Sequence, residues 1–382
     1  MQQTPTTYLE HPSPDALSGT LRRWRTADGR PAGLIAFVCD TAEDRAAIAT
    51  LQAIANTEGV PLGGAIVPGL VTPDGFTRKG ILFLPCDPAA PRAIVPMPSV
   101  EGHTTAEATE QLIDFVSTAS NPAGGDTLLL ILDVSVPDAA TLIDAMYLEI
   151  GDQVNYSGLC VGSETFQTLP CVFDNHQFVV NAALAFILRQ HPGATLAHHY
   201  SGNEALWVAT ATQGGHIETI DGRPAFEVYQ ELMTSEYGVT LDRSNFYQYA
   251  VHFPFALTRA QGESLVRIPA KLEEDGSVYC SGEIRENALL SVVRAIPPGQ
   301  LTAAQEVGRG VGAASPENVL LFYCAGRFLH LGEEAAALEV NAIRDAAGSP
   351  AIYGAMCLGE IGSLKHQYPA FHNCTLTAMP WI

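Results

Sequence analysis

Apolar residues in this chain fall into two kinds of run. Short unbroken stretches at 34–39, 128–133 and 319–324 read as strands, and longer stretches at 43–56, 138–150 and 333–347 read as helices, the second of them with apolar residues at helical spacing. Each strand–helix pair leads into a glycine-containing stretch, at 60–69, 154–162 and 352–360, and then into a further strand at 80–84, 177–180 and 371–377. One grammar therefore occurs three times: strand, helix, strand ending in a glycine-flanked turn, strand. A helix between two strands implies that those strands pair in parallel. The fold class expected is α/β, mixed α+β, with pseudo-repeated units forming mixed sheets flanked by helices. Gly64, Gly158 and Gly354, the first glycine of each turn, mark places where backbone closely approaches a neighbouring element or a ligand.

Between the second and third units the texture changes. Residues 198–212 alternate apolar and polar, 213–215 turn, and 216–220 return, which predicts an antiparallel hairpin region between the halves. Asp221 to Pro224 stop that strand and open a helix over 225–235. A second hairpin is expected across the polar turn at 273–276. These signals divide the chain into an N-terminal extension (1–29), an N-terminal domain (30–222) and a C-terminal domain (223–382).

Charge and composition narrow the function classes. Twenty Lys and Arg against 41 Asp and Glu give a formal charge of −21, a field that repels phosphate backbones and anionic lipid, so neither nucleic acid nor a membrane surface is an expected partner. The longest apolar run, 182–188, is far short of a membrane span, and the first residues lack a secretory signal, so the expected location is the cytoplasm. Eight cysteines without a C-x-x-C pair, mostly inside apolar stretches, read as reduced, buried thiols.

Several motifs could carry chemistry. Gly158, Cys160 and Gly162 fit a thiol nucleophile elbow, but no helix pattern follows them, and the repeat places Ile66 and Met356 at the position of Cys160. Gly308 to Gly312 precedes a strand instead of following one, so it reads as a helix end and loop, not a dinucleotide turn. His198 and His199 are adjacent in a strand-like run and point to opposite faces. His372 and Cys374 share a face, yet two ligands make no metal site. The densest cluster lies in the third unit. Cys324 ends its strand, Arg327 follows in a loop, Glu333 and Glu334 open a helix, Glu360 sits in a turn, and His372 and Asn373 start the last strand. Ligands of open α/β sheets bind beyond the carboxyl ends of strands, where Arg327 and Glu360 should lie. Cys324, Arg327, Glu360, His372 and Asn373 are therefore the expected ligand-binding residues, with Arg327 and Glu360 either a clamp for a zwitterion or a structural ion pair. No metal-ligand set and no well-placed catalytic group is read from the chain.

Four stretches carry a family likeness: 221–229, the Cys324 to Arg327 strand end with the following 331–334, the 353–361 turn, and His372 to Thr375. With them the chain resembles FIST-domain proteins from about residue 30 onward, with N- and C-terminal FIST regions. Gly158 to Gly162 and 169–173 look like the second glycine-rich segment of one bacterial subgroup. The resemblance implies a sensory role: binding of a small ligand, an amino acid or similar, relayed to a separate histidine kinase or cyclic-dinucleotide enzyme as in two-component systems, an output domain of its own not being expected from the residues read. Some bacterial members are haem-binding nitric oxide sensors. For haem, His372, His198, His199 and His176 are candidates by chemistry alone. The eukaryotic F-box members have a helical extension that is not read before residue 30. Gly64 to Gly69 depart from the more polar turn of many relatives. A cysteine-dependent enzyme using Cys324 or Cys160 is the alternative to a sensor.

Overall fold

A computed structural model describes residues 6–24, 32–97, 105–202, 205–259, 264–295, 299–364 and 368–381. The threefold grammar is realised as three six-stranded mixed sheets, each built on a parallel pair. Gly33–Cys39 pairs with Leu62–Val67, Asp126–Asp133 with Val154–Val161, and Asn318–Cys324 with Ala351–Cys357. Every residue of Gly33–Cys39 and Asp126–Asp133 is buried, which is why these runs show no alternation. The crossover helices are Ala42–Glu58, Ala139–Ile150 and Glu333–Ala346. The first starts at Thr41, whose hydroxyl accepts the Asp44 amide at 3.0 Å, and stops at Gly59, which takes the left-handed φ of +67° that a helix end favours.

An antiparallel strand flanks each parallel pair: Ile81–Cys86, Ala182–Leu188 and Leu376–Trp381. Two of these differ from the sequence reading. In the second unit, residues 177–180 contribute only Phe178–Val179, on the edge of the first sheet, and the closing strand is the apolar run beginning at Ala182. In the third, 371–377 is broken by a turn at 373–375, so Ala370–His372 and Leu376–Trp381 belong to different sheets. Gly64, Gly158 and Gly354 sit inside strands, not in turns. A Cβ at each would collide with the carbonyl of the residue paired opposite it, at Ala36, Leu130 and Leu321 respectively. The close neighbour is thus the parallel strand, and the same packing device recurs in all three units.

Interior side chains of the three sheets form a shared core, in which Phe37 meets Phe322 edge to face at 6.3 Å. The sheets also exchange strands across the chain's midpoint. Leu70–Thr72 adds to the third sheet beside Ala351–Cys357, and Glu360–Gly362 adds to the second beside Val154–Val161. The hairpin between the halves is present as Trp207–Gln213 and His216–Ile220, within a nine-stranded antiparallel sheet that also holds the second hairpin, Pro269–Leu272 with Val278–Cys280. Helix Ala225–Tyr237 packs on this sheet over a separate core. Ahead of residue 30, Thr7–Leu9 extends the first sheet and helix Pro14–Arg23 buries Leu17 and Leu21 against it.

Candidate functional site

Cys324 is the last residue of a buried strand and the residue before helix Ala325–Leu331. Arg327 lies on that helix, not in a loop, and Glu360 begins a strand instead of occupying a turn. Their side chains do not form a pair. Arg327, fully buried, meets Glu339: Nη2 donates to Oε1 at 2.6 Å and Nε to Oε2 at 3.0 Å, and its Nη1 donates to the carbonyls of His198 and Cys374. Tyr323 donates its hydroxyl to the second Glu339 oxygen. Burial works to lower the Arg327 pKa, but the adjacent carboxylate overrides it and raises the pKa, so the guanidinium stays charged. Glu339 was legible in principle, since it stands with Ala336, Val340 and Ile343 on the buried face of its helix.

Glu360 accepts from the Cys357 thiol at 3.0 Å and from the Thr375 hydroxyl and amide at 2.7 and 3.1 Å. Burial pushes its carboxyl well above the ordinary carboxylate range. Asn373 accepts from the Ile268 amide and donates to Ser281. His372 ends a short strand, donates Nε2–H to Gly362 O at 3.0 Å, and is pushed down to about 3 by burial.

These contacts share one origin. Residues 372–375, each no more than 1% exposed, form a buried turn that ties several elements together, with His372 and Thr375 both on the Glu360–Gly362 strand. His372 holds the Gly362 strand and Asn373 the nine-stranded sheet, while Cys374 holds Arg327 and Cys324, and Thr375 holds Glu360. The five residues singled out in sequence therefore do gather, around a turn and not around a cavity. Only Cys324 reaches the adjacent cleft, a narrow space of about 40 Å³. Its walls come from three regions: Glu164 and Phe166 on the loop after the second unit's glycine strand, Tyr247 and Ser281 from the region of the nine-stranded sheet, and the Cys324 strand end. Phe166 is 39% exposed and holds a left-handed φ of +55°. Glu164 binds Arg78 through one oxygen at 2.7 Å, and its other oxygen is buried without a partner. Neither Phe166 nor Tyr247 had any periodic signal to expose it.

A second pairing was invisible in sequence because its members are 78 residues apart. His252 and His330 bring their Nδ1 atoms to 2.7 Å, at the far end of the short helix that Cys324 begins. Burial, then His252, pushes His330 down to about 4.

Haem ligation does not fit the four histidines named from sequence. His198 engages Ser264 O and the Tyr200 amide through its two ring nitrogens, His199 binds Glu306 at 2.7 Å, and His176 is exposed on a turn. His372 has an unpartnered Nδ1, but the ring is 1% exposed within the packed sheet. A thiol catalyst is equally ill served. Cys160 is the second-last residue of its strand, where burial raises its pKa strongly, and Cys324 is raised first by the neighbouring Cys374 side chain and then by burial.

Residues 33–223 match the family model of the FIST N domain and residues 225–363 that of the FIST C domain. No curated protein matches the chain. Among the described residues, no helix is long and apolar enough to cross a membrane.

Proposed function

The chain belongs to the FIST family, whose domains are sensory signalling domains, and on that premise we propose that it senses a small amine-bearing ligand, an amino acid or a close analogue, at the Cys324 cleft. One observation carries the reading: a carboxylate oxygen of Glu164 is buried without a partner beside two partly exposed aromatic rings, Phe166 and Tyr247. A carboxylate and aromatic faces together suit an ammonium group. The cleft is too small for an amino acid as it stands, so entry requires the 163–170 loop to lift. Phe166, strained and half out of the protein, is the residue on which that movement turns. Ligand state then passes along helix Ala325–Leu331 to a separate histidine kinase or cyclic-dinucleotide enzyme.

Titration calorimetry of the whole chain against the proteinogenic amino acids and their decarboxylated amines tests this. A saturable heat from at least one amine, lost in Glu164→Gln with the fold intact, is the expected result. Binding that survives Glu164→Gln, or no binding by any amine, overturns it.

A further inference from the structure

Cys324 and Cys374 are 50 residues apart and meet at the buried turn. The Cys374 amide donates to Cys324 Sγ at 3.2 Å, and the two side chains share one buried cluster. Cys374 holds this position through a left-handed backbone, φ +63°, that a residue with a side chain rarely adopts. Both are buried, Cys324 at 1% and Cys374 at 0% exposure, and of the two only Cys324 lines the cleft. The nearby thiols are otherwise placed: Cys357 donates to Glu360, and Cys160 is buried within its own strand, next to that strand's last residue.

We propose that Cys324 and Cys374 are a dithiol–disulfide couple, oxidised by a small hydroperoxide that enters the cleft. The size of the cleft selects the oxidant, because a space of about 40 Å³ admits only a molecule the size of a few waters, one water needing roughly 10–15 Å³ of such space. Hydrogen peroxide enters where glutathione disulfide cannot. Cys324 reacts through its scarce thiolate form: the thiolate sulfur attacks one peroxide oxygen, the O–O bond breaks, and the departing hydroxide takes up the proton that Cys324 released, to leave as water. Cys374 sulfur then attacks the resulting sulfenic sulfur; the S–S bond forms, the S–O bond breaks, and the hydroxyl leaves as a second water with the Cys374 proton. Two thiols are oxidised by two electrons and one peroxide is reduced to two waters. The step does not depend on whether the cleft takes an amine.

The test uses the native full-length chain. After exposure to graded hydrogen peroxide and quenching with catalase, remaining thiols are blocked with N-ethylmaleimide in denaturant, and the protein is digested without reductant for peptide mass spectrometry. The expected product is a linked pair of peptides containing Cys324 and Cys374, two hydrogens lighter than their sum and separated by dithiothreitol. In Cys374→Ser, dimedone should trap Cys324 as the sulfenic adduct instead. The proposal is overturned if wild-type protein yields no such pair at peroxide concentrations that oxidise the partly exposed Cys86, or if Cys324 is recovered joined to Cys357 or Cys160. The wild-type map decides the matter even if a variant fails to fold.

Discussion

Replacing Glu339 by Gln removes one charge from a pair with no solvent contact while keeping the side chain's shape. Arg327 and Glu339 are both 0% exposed, so neither salt nor water compensates the guanidinium that remains. Breaking a buried pair in this way costs about 3–5 kcal/mol. Gln keeps one acceptor, and Arg327 keeps its bonds to His198 O and Cys374 O, which places Glu339→Gln near the lower end. Arg327→Met strands the carboxylate and also frees those two carbonyls, which places it near the upper end. The double change Arg327→Met with Glu339→Gln strands no charge. It orphans the new side-chain amide and the two carbonyls that Arg327 held, three neutral groups at about 1 kcal/mol each. The single changes then sum to about 8 kcal/mol and the double to about 3, a coupling of roughly 5 kcal/mol. Equilibrium urea unfolding followed by tryptophan fluorescence and circular dichroism measures all four corners. An additive double variant, or Glu339→Gln costing under about 1 kcal/mol, would refute the assignment of Arg327 to the fold and return it to the ligand site.

Three further outcomes follow from the same geometry. Gly354→Ala should prevent the third sheet from forming, since its Cβ would occupy the position of Leu321 O, whereas Gly348→Ala, with open space around it but φ +89°, should fold with a lower melting point; soluble yield and near-ultraviolet dichroism distinguish them. His330 and His372 have folded pKa values near 4 and 3, below the unfolded value, so the unfolded chain binds more protons in acid. Their stability contribution is present above about pH 6.5 and is lost as pH falls toward 4. His330→Gln should flatten that slope in melting curves from pH 7 to pH 4, and an unchanged slope counts against the buried neutral imidazole. Phe166→Ala should speed amine association in stopped-flow fluorescence, because it thins the loop that must lift; an unchanged rate means that the loop does not gate the cleft.

The repeat was readable because its strands are buried end to end and its helices have a period, two signals confined to a few adjacent residues. The closing strands were misjudged where burial alone could not choose. Phe178 and Val179 look as strand-like as Ala182 onward, and only the pairing with Asp126–Asp133 separates them. The residues of the third-unit cluster were found, but their partners were not. Arg327 was matched to the acid nearest a sheet's carboxyl end, whereas the acid it meets lies 12 residues along on the buried face of a helix. Conversely, Glu164, Phe166 and Tyr247 form the cleft wall through loop placement, which no local pattern encodes.

The exchange of strands across the midpoint has a consequence for synthesis. The edge of Val154–Val161 is completed only by Glu360–Gly362, some 200 residues later in the chain. At about 5–20 residues per second, a ribosome leaves that edge open for roughly 10–40 s. An unpaired apolar edge invites pairing with another nascent chain. The yield of this protein in a cell should therefore respond to chaperone supply and translation speed more than its finished stability suggests.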